Sequence, residues 1–140
     1  MNRPNNIFIF PDVRILSRAN KTEHWAKRRK RESGQRFEVR IHSRQIRQLS
    51  LPVAVRMTRF APQAMDGDNL ISAFKHIRDE LANILIPEKT QGNQFARWAD
   101  DSDNRIAWEV AQVQSSSWSM QIEITENGEE TIEVEETGPE

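Results

Sequence analysis

A chain of 140 residues builds one domain around a single hydrophobic core, so one active site per chain is expected. It contains no cysteine, which excludes a disulfide framework and a zinc-thiolate centre, and His24, His42 and His76 are too scattered to suggest a histidine-based metal site. The net charge of -1 conceals a division: residues 1 to 60 carry 15 Lys/Arg against 4 Asp/Glu, and residues 61 to 140 carry 5 against 17.

Along the chain, Asn6 to Phe10 reads as a short strand stopped by Pro11, followed by an irregular loop to Asn20 with Arg14 and Arg18 exposed. From Glu23 to about Leu49 a helical pattern follows Lys21 and Thr22, with sparse apolar positions (Trp25, Phe37, Ile41, Ile46), and Gly34 is a point where it could divide into two helices. Its run Lys27-Arg28-Arg29-Lys30-Arg31 is the densest basic cluster in the chain. Val53, Val55 and Met57 alternate with Ala54, Arg56 and Thr58, as in a half-buried strand that leads directly into the loop at Asp66. Leu70, Phe74, Ile77, Leu81 and Leu85 then form the apolar stripe of an amphipathic helix that ends before Pro87. Pro87 to Ala99 is a polar loop carrying Phe95 and Trp98. Arg105–Gln112 and Trp118–Ile124 read as two strands, and the Gln114-to-Ser117 connection predicts an antiparallel hairpin between them. Trp25 and Trp108 are assigned to packing, whereas Trp98 serves either as a core-closing aromatic or as a surface that stacks on a ligand. Beyond Glu126 the chain is rich in Glu and is expected to be disordered, with Thr131–Val134 as a candidate edge strand.

The chemistry concentrates in two acidic turns, Asp66-Gly67-Asp68-Asn69 and Asp100-Asp101-Ser102-Asp103. Either acid of the first turn taken singly could be a helix cap, but one N-cap position cannot seat both. Carboxylates gathered from two loops repel one another by about 1 to 4 kcal/mol per close pair, and a hard divalent cation removes that cost. An EF-hand is excluded, because its sixth position would be Ile71 and its twelfth Ile77, and a loop begun at Asp101 has Arg105 at its fifth. Acids on two loops at the mouth of a sheet suit phosphoryl transfer on one or two Mg2+ ions. Residues 1 to 125 carry 20 bases against 14 acids, and this +6 body points to a polyanionic partner.

The ordered set Asp66-x-Asp68-Asn69-Leu70, Lys75-x-x-x-Asp79-x-Leu81 and Asp100-Asp101 resembles the RusA family of Holliday-junction resolvases over about Val53 to Ile124. The run Asp101 to Trp108, followed by Gln112, is similar to phage-borne members of that family. The resemblance implies an α/β (α+β) fold, a small mixed β-sheet packed against two or three helices, with a RusA-like nuclease domain at 1–125 and the acidic tail at 126–140. It further implies a homodimeric endodeoxyribonuclease that resolves four-way DNA junctions in recombination and repair, using Mg2+ with Mn2+ as a substitute and no nucleotide cofactor. Asp66, Asp68 and Asp101 would be metal ligands, Asp100 a fourth ligand or supporting acid, and Lys75 the catalytic lysine. In the enzyme that names the family the lysine follows the second Asp by four residues, where this chain has Ser72. With such a site, Lys27, Arg28, Lys30, Arg31 and Arg14 become candidate phosphate contacts. The alternatives are a non-catalytic junction-binding or architectural protein and a nuclease for other branched DNA. No run of eighteen apolar residues and no export signal is visible, so a soluble cytoplasmic protein, bacterial or phage-encoded, is expected.

Overall fold

The computed structural model describes residues 6–18, 23–43, 46, 49–86 and 105–126. Among them the period-two runs become four strands: β1 (Asn6–Pro11), β2 (Val53–Ala61), β3 (Ile106–Gln114) and β4 (Ser119–Glu126). Helix α1 (Trp25–His42) lies between β1 and β2, and α2 (Gly67–Ala73) and α3 (Lys75–Leu85) lie between β2 and β3. The sheet order is β1-β4-β2-β3, with β4 antiparallel to both neighbours and β2 parallel to β3. It is a small mixed four-stranded sheet with three helices, an α+β fold.

One face of every strand is apolar, and these faces meet the helices in a single core. Phe10, Val55, Met57, Ile122 and Ile124 from the sheet cluster with Val39 of α1, Leu70 of α2, and Ile77 and Leu81 of α3. The stripe from Leu70 to Leu85 is buried as its spacing predicts, with Phe74, Ile77 and Leu81 fully enclosed. It belongs to two helices, however, because Phe74 takes φ -93 and ψ 1 and separates α2 from α3.

Several other expectations are corrected. β3 and β4 do not form a hairpin; β2 lies between them, pairing in parallel with β3 and antiparallel with β4. β2 is not half-buried: Ala54 and Thr58, directed away from the core, are only 7% exposed, being small side chains set between those of β3 and β4 on the same face. α1 runs through Gly34 without interruption and ends at His42, well before Leu49. Its N-cap is His24, whose Nδ1 accepts from the Ala26 amide. Trp25 is exposed and is not a packing residue; it stacks on His24 and has the Arg29 guanidinium over its ring. Trp108 does pack against the core. The Pro87–Ala99 loop with Phe95 and Trp98, the Thr131–Val134 segment and the acidic tail beyond Glu126 lie outside the described residues.

α1 and α3 run in the same direction, as two polar links show: Gln35 meets His76, and one turn further on Arg36 and Arg40 both reach Glu80. Glu80 is buried, and the two guanidiniums donate to its carboxylate at 2.9 to 3.2 Å. Burial would raise its pKa, but the hydrogen bonds from Arg40 and Arg36 prevail and hold it below the ordinary 4.5. Glu80→Gln is therefore expected to cost about 1 to 3 kcal/mol in urea unfolding at neutral pH, since the freed arginines can still reach water. A depressed carboxyl stabilises the fold fully above its unfolded pKa and loses that contribution as pH falls through the folded value. The difference between variant and wild type should shrink as pH falls below the ordinary 4.5.

Candidate functional site

The β2–α2 connection presents the first acidic turn at the C-terminal end of the central strand. Asp66 is the N-cap of α2 (φ -61, ψ 152), yet its side chain makes no capping hydrogen bond. Its carboxylate is therefore not consumed by the helix end. Asp68 lies in the first turn, where the positive end of the helix dipole favours a carboxylate. Both acids are exposed, and buried Leu70, two residues on, anchors the turn to the core.

The loop is held from the neighbouring strand. Gln112 of β3 accepts from the Met65 amide at 3.0 Å and donates to the Met65 carbonyl at 2.7 Å, clasping the residue before Asp66 as another strand would. Gln112→Ala is expected to lower stability by about 1 kcal/mol. It should also lower any metal affinity of the turn by roughly 10-fold, because supporting hydrogen bonds fix ligand orientation. Unfolding curves and metal titration of that variant check both.

The other candidates divide. Lys75 opens α3 with Nζ 3.3 Å from Asp79 Oδ1, an i, i+4 pair with the lysine 41% exposed. Among the candidate phosphate contacts, Lys27, Lys30 and Arg14 are exposed. Arg31 is committed within the fold, with both its Nε and Nη2 donating to Glu23 at 2.9 Å, and Arg28 donates to the Arg18 carbonyl. Arg18, expected on an open loop, is paired with Glu32 at 2.8 Å. The shared direction of α1 and α3 places the basic first turns of α1 toward the same end of the molecule as the start of α2.

Asp100 and Asp101 lie outside the described residues. The Arg105 carbonyl accepts from the Val53 amide, at the end of β2 opposite Ala61 and Asp66. Among the described residues, no group of three or more His, Asp or Glu side chains could hold a metal ion, and no helix is long and apolar enough to cross a membrane.

Two features escaped sequence reasoning. His76 is buried between α1 and α3 with Nε2 2.6 Å from Gln35 Oε1, a hidden polar link on an otherwise apolar stripe. Arg59 is 5% exposed in β2, and its signal was present: the alternation Val53, Val55, Met57 continues to Arg59, a cation directed inward. No family model matches the chain, and no curated protein matches it significantly.

Proposed function

We propose that this chain is a Mg2+-dependent endodeoxyribonuclease that cuts branched DNA, with four-way junctions as its principal substrate. The observation that carries the reading is the Asp66/Asp68 turn. It offers two exposed carboxylates, one of them an N-cap that caps nothing, toward the end of the fold where the basic turns of α1 begin. Mg2+ is commonly held by one or two carboxylates together with substrate phosphate oxygens, so this pair fits the ion without a closed protein cage. When bound there, the ion would acidify a coordinated water and neutralise charge on the phosphate.

Asp66 and Asp68 hold the ion in this proposal; Asp101 and Asp100, which the sequence motif adds, are left out of the ligand set because within one chain the link from Asp101 to Arg105 is too short to reach that end of β2. Lys75 supplies positive charge to the developing phosphorane. Lys27, Lys30 and Arg14 bind flanking phosphates through counterion release, without reading bases. Two symmetric incisions call for a two-fold homodimer, and a bacterial or phage cytoplasm belongs to the same reading.

One observation favours a second reading, a non-catalytic DNA-binding protein. β2 is nine residues long, about 27 Å, and Arg105 sits at its far end. The four residues from Asp101 to Arg105 can span at most about 14 Å. The test is incubation of the protein with Mg2+ or Mn2+ and a labelled panel of four-way junction, flap, nicked and linear duplex DNA. Metal-dependent incision that is fastest on the four-way junction supports the proposal. Binding of the junction without incision by either ion overturns it in favour of the second reading.

A further inference from the structure

Beside the acidic turn, the 14–18 segment and the β2–α2 loop leave a cleft of about 320 Å3 between them, walled by Leu16, Met65 and Trp118 with Arg59 among its lining residues. Arg59 is the anomaly of the fold. Its Nε donates to the Ile15 carbonyl at 2.7 Å, and its Nη1 donates to the Gln63 carbonyl at 2.7 Å and to Gln112 Oε1 at 3.3 Å. All three acceptors are neutral. Among the described residues no carboxylate pairs with it, and the two N–H groups on Nη2 have no protein acceptor. Arg59 as a whole residue is 95% buried with no counter-charge among the described residues, which is costly, and burial correspondingly pulls its pKa down. Charge density is raised further by Arg14, since both guanidiniums lie 5.3 Å from the Trp118 ring centroid. Neutral carbonyls fix the fork in place while its outer donors remain available, as a preformed oxyanion receptor requires.

We propose that this cleft is a phosphate subsite, in which Arg59 Nη2 donates to the non-bridging oxygens of a phosphodiester in a DNA strand. Gln63 to Met65 form one wall and lead directly into Asp66, so the phosphate held here neighbours the one presented to the acidic turn. This assignment rests on the nuclease reading for its choice of strand. Its chemistry, an oxyanion on a buried arginine, does not require catalysis.

The test is run in EDTA, so that strand binding is read without metal or cleavage. Side-chain NMR signals of Arg59 Nε–H and the Trp118 indole N–H are followed while the full chain is titrated with inorganic phosphate or with a thymidine hexanucleotide. Both signals are expected to move and saturate with the hexanucleotide, at lower concentration than with phosphate. Arg59 ties two loops together, so its removal could unfold the protein, and the variants are made at the exposed lip instead. Ala64→Glu supplies an internal counter-charge and should weaken hexanucleotide binding roughly 10-fold and lower the salt slope by about 1, with the melting temperature unchanged or raised. Ala64→Gln, equal in size and neutral, should bind as wild type does. Shifts produced by inorganic phosphate alone overturn the assignment to a strand. No shift with either ligand, or equal binding by the Glu and Gln variants, overturns the subsite. Junction incision that fails while these shifts persist would remove the nuclease reading and leave the subsite standing.

Discussion

Replacing Asp68 with Asn is expected to lower Mg2+-dependent junction cleavage by roughly 100-fold or more while leaving the fold intact. The substitution keeps the shape of the side chain and removes one negative oxygen ligand from a pair that has only two among the described residues. Asp68 is exposed, so the structural cost is confined to a lost helix-dipole contact of about 0.3 to 1 kcal/mol. Removing a negative charge beside the DNA backbone should leave junction affinity in EDTA unchanged or slightly raised, the reverse of what a damaged binding surface would show. Single-turnover cleavage, gel-shift affinity and thermal unfolding of the one variant separate these contributions. A cleavage rate equal to that of wild type would remove Asp68 from the metal site.

The second large effect is on stability and is set by His76. Burial, reinforced by Arg18, Arg31 and Arg36, lowers its pKa from 6.5 to about 3. Its Nε2–H donates to Gln35 Oε1, while Gln35 Nε2 donates to the Arg14 carbonyl. The ring thus links α3 through α1 to the 14–18 segment in its neutral form. With the folded pKa below the unfolded one, the unfolded chain binds the extra proton between about pH 3 and 6.5. The stabilisation is complete above 6.5 and declines as pH falls through that window. Between pH 7.5 and 5 this single group should remove about 2 kcal/mol of unfolding free energy. Its full range, reached near pH 3, is roughly 3 to 5 kcal/mol. Urea unfolding at several pH values checks the slope, and His76→Gln should flatten it between pH 7.5 and 5. The Glu80 contribution is lost only below about 4.5, so the two groups are separable by pH.

What could be read from the residues depended on whether local periodicity determined the outcome. The alternation Met120, Ile122, Ile124 and the stripe from Leu70 to Leu85 are local patterns, and both faces are buried as read. Strand pairing is a long-range choice. Gln114 to Ser117 is compatible with a hairpin, but a reversal between β3 and β4 leaves room for β2 to insert, and nothing in those four residues reports that. A better sign was in β2 itself, where Ala54 and Thr58 are small enough for an outer face crowded by two neighbours. The basic cluster was legible as charge but not as commitment. The carboxylates that bind Arg31 and Arg18 are eight and fourteen residues away, at Glu23 and Glu32, and only the fold brings them together. Asp66 and Asp68 stand at the strand-to-helix turn where the motif put them. Gln112, which clasps their loop from 47 residues away, gives no local signal of that role.

Binding of a divalent cation by the Asp66/Asp68 turn is tested most directly, without DNA or turnover, by Mn2+ titration followed by electron paramagnetic resonance. Wild type is expected to bind Mn2+ saturably, with displacement by Mg2+, and both Asp66→Asn and Asp68→Asn are expected to lose that binding. Binding of Mn2+ by these variants as tight as that of wild type, or none by wild type, would contradict a cation site at this turn.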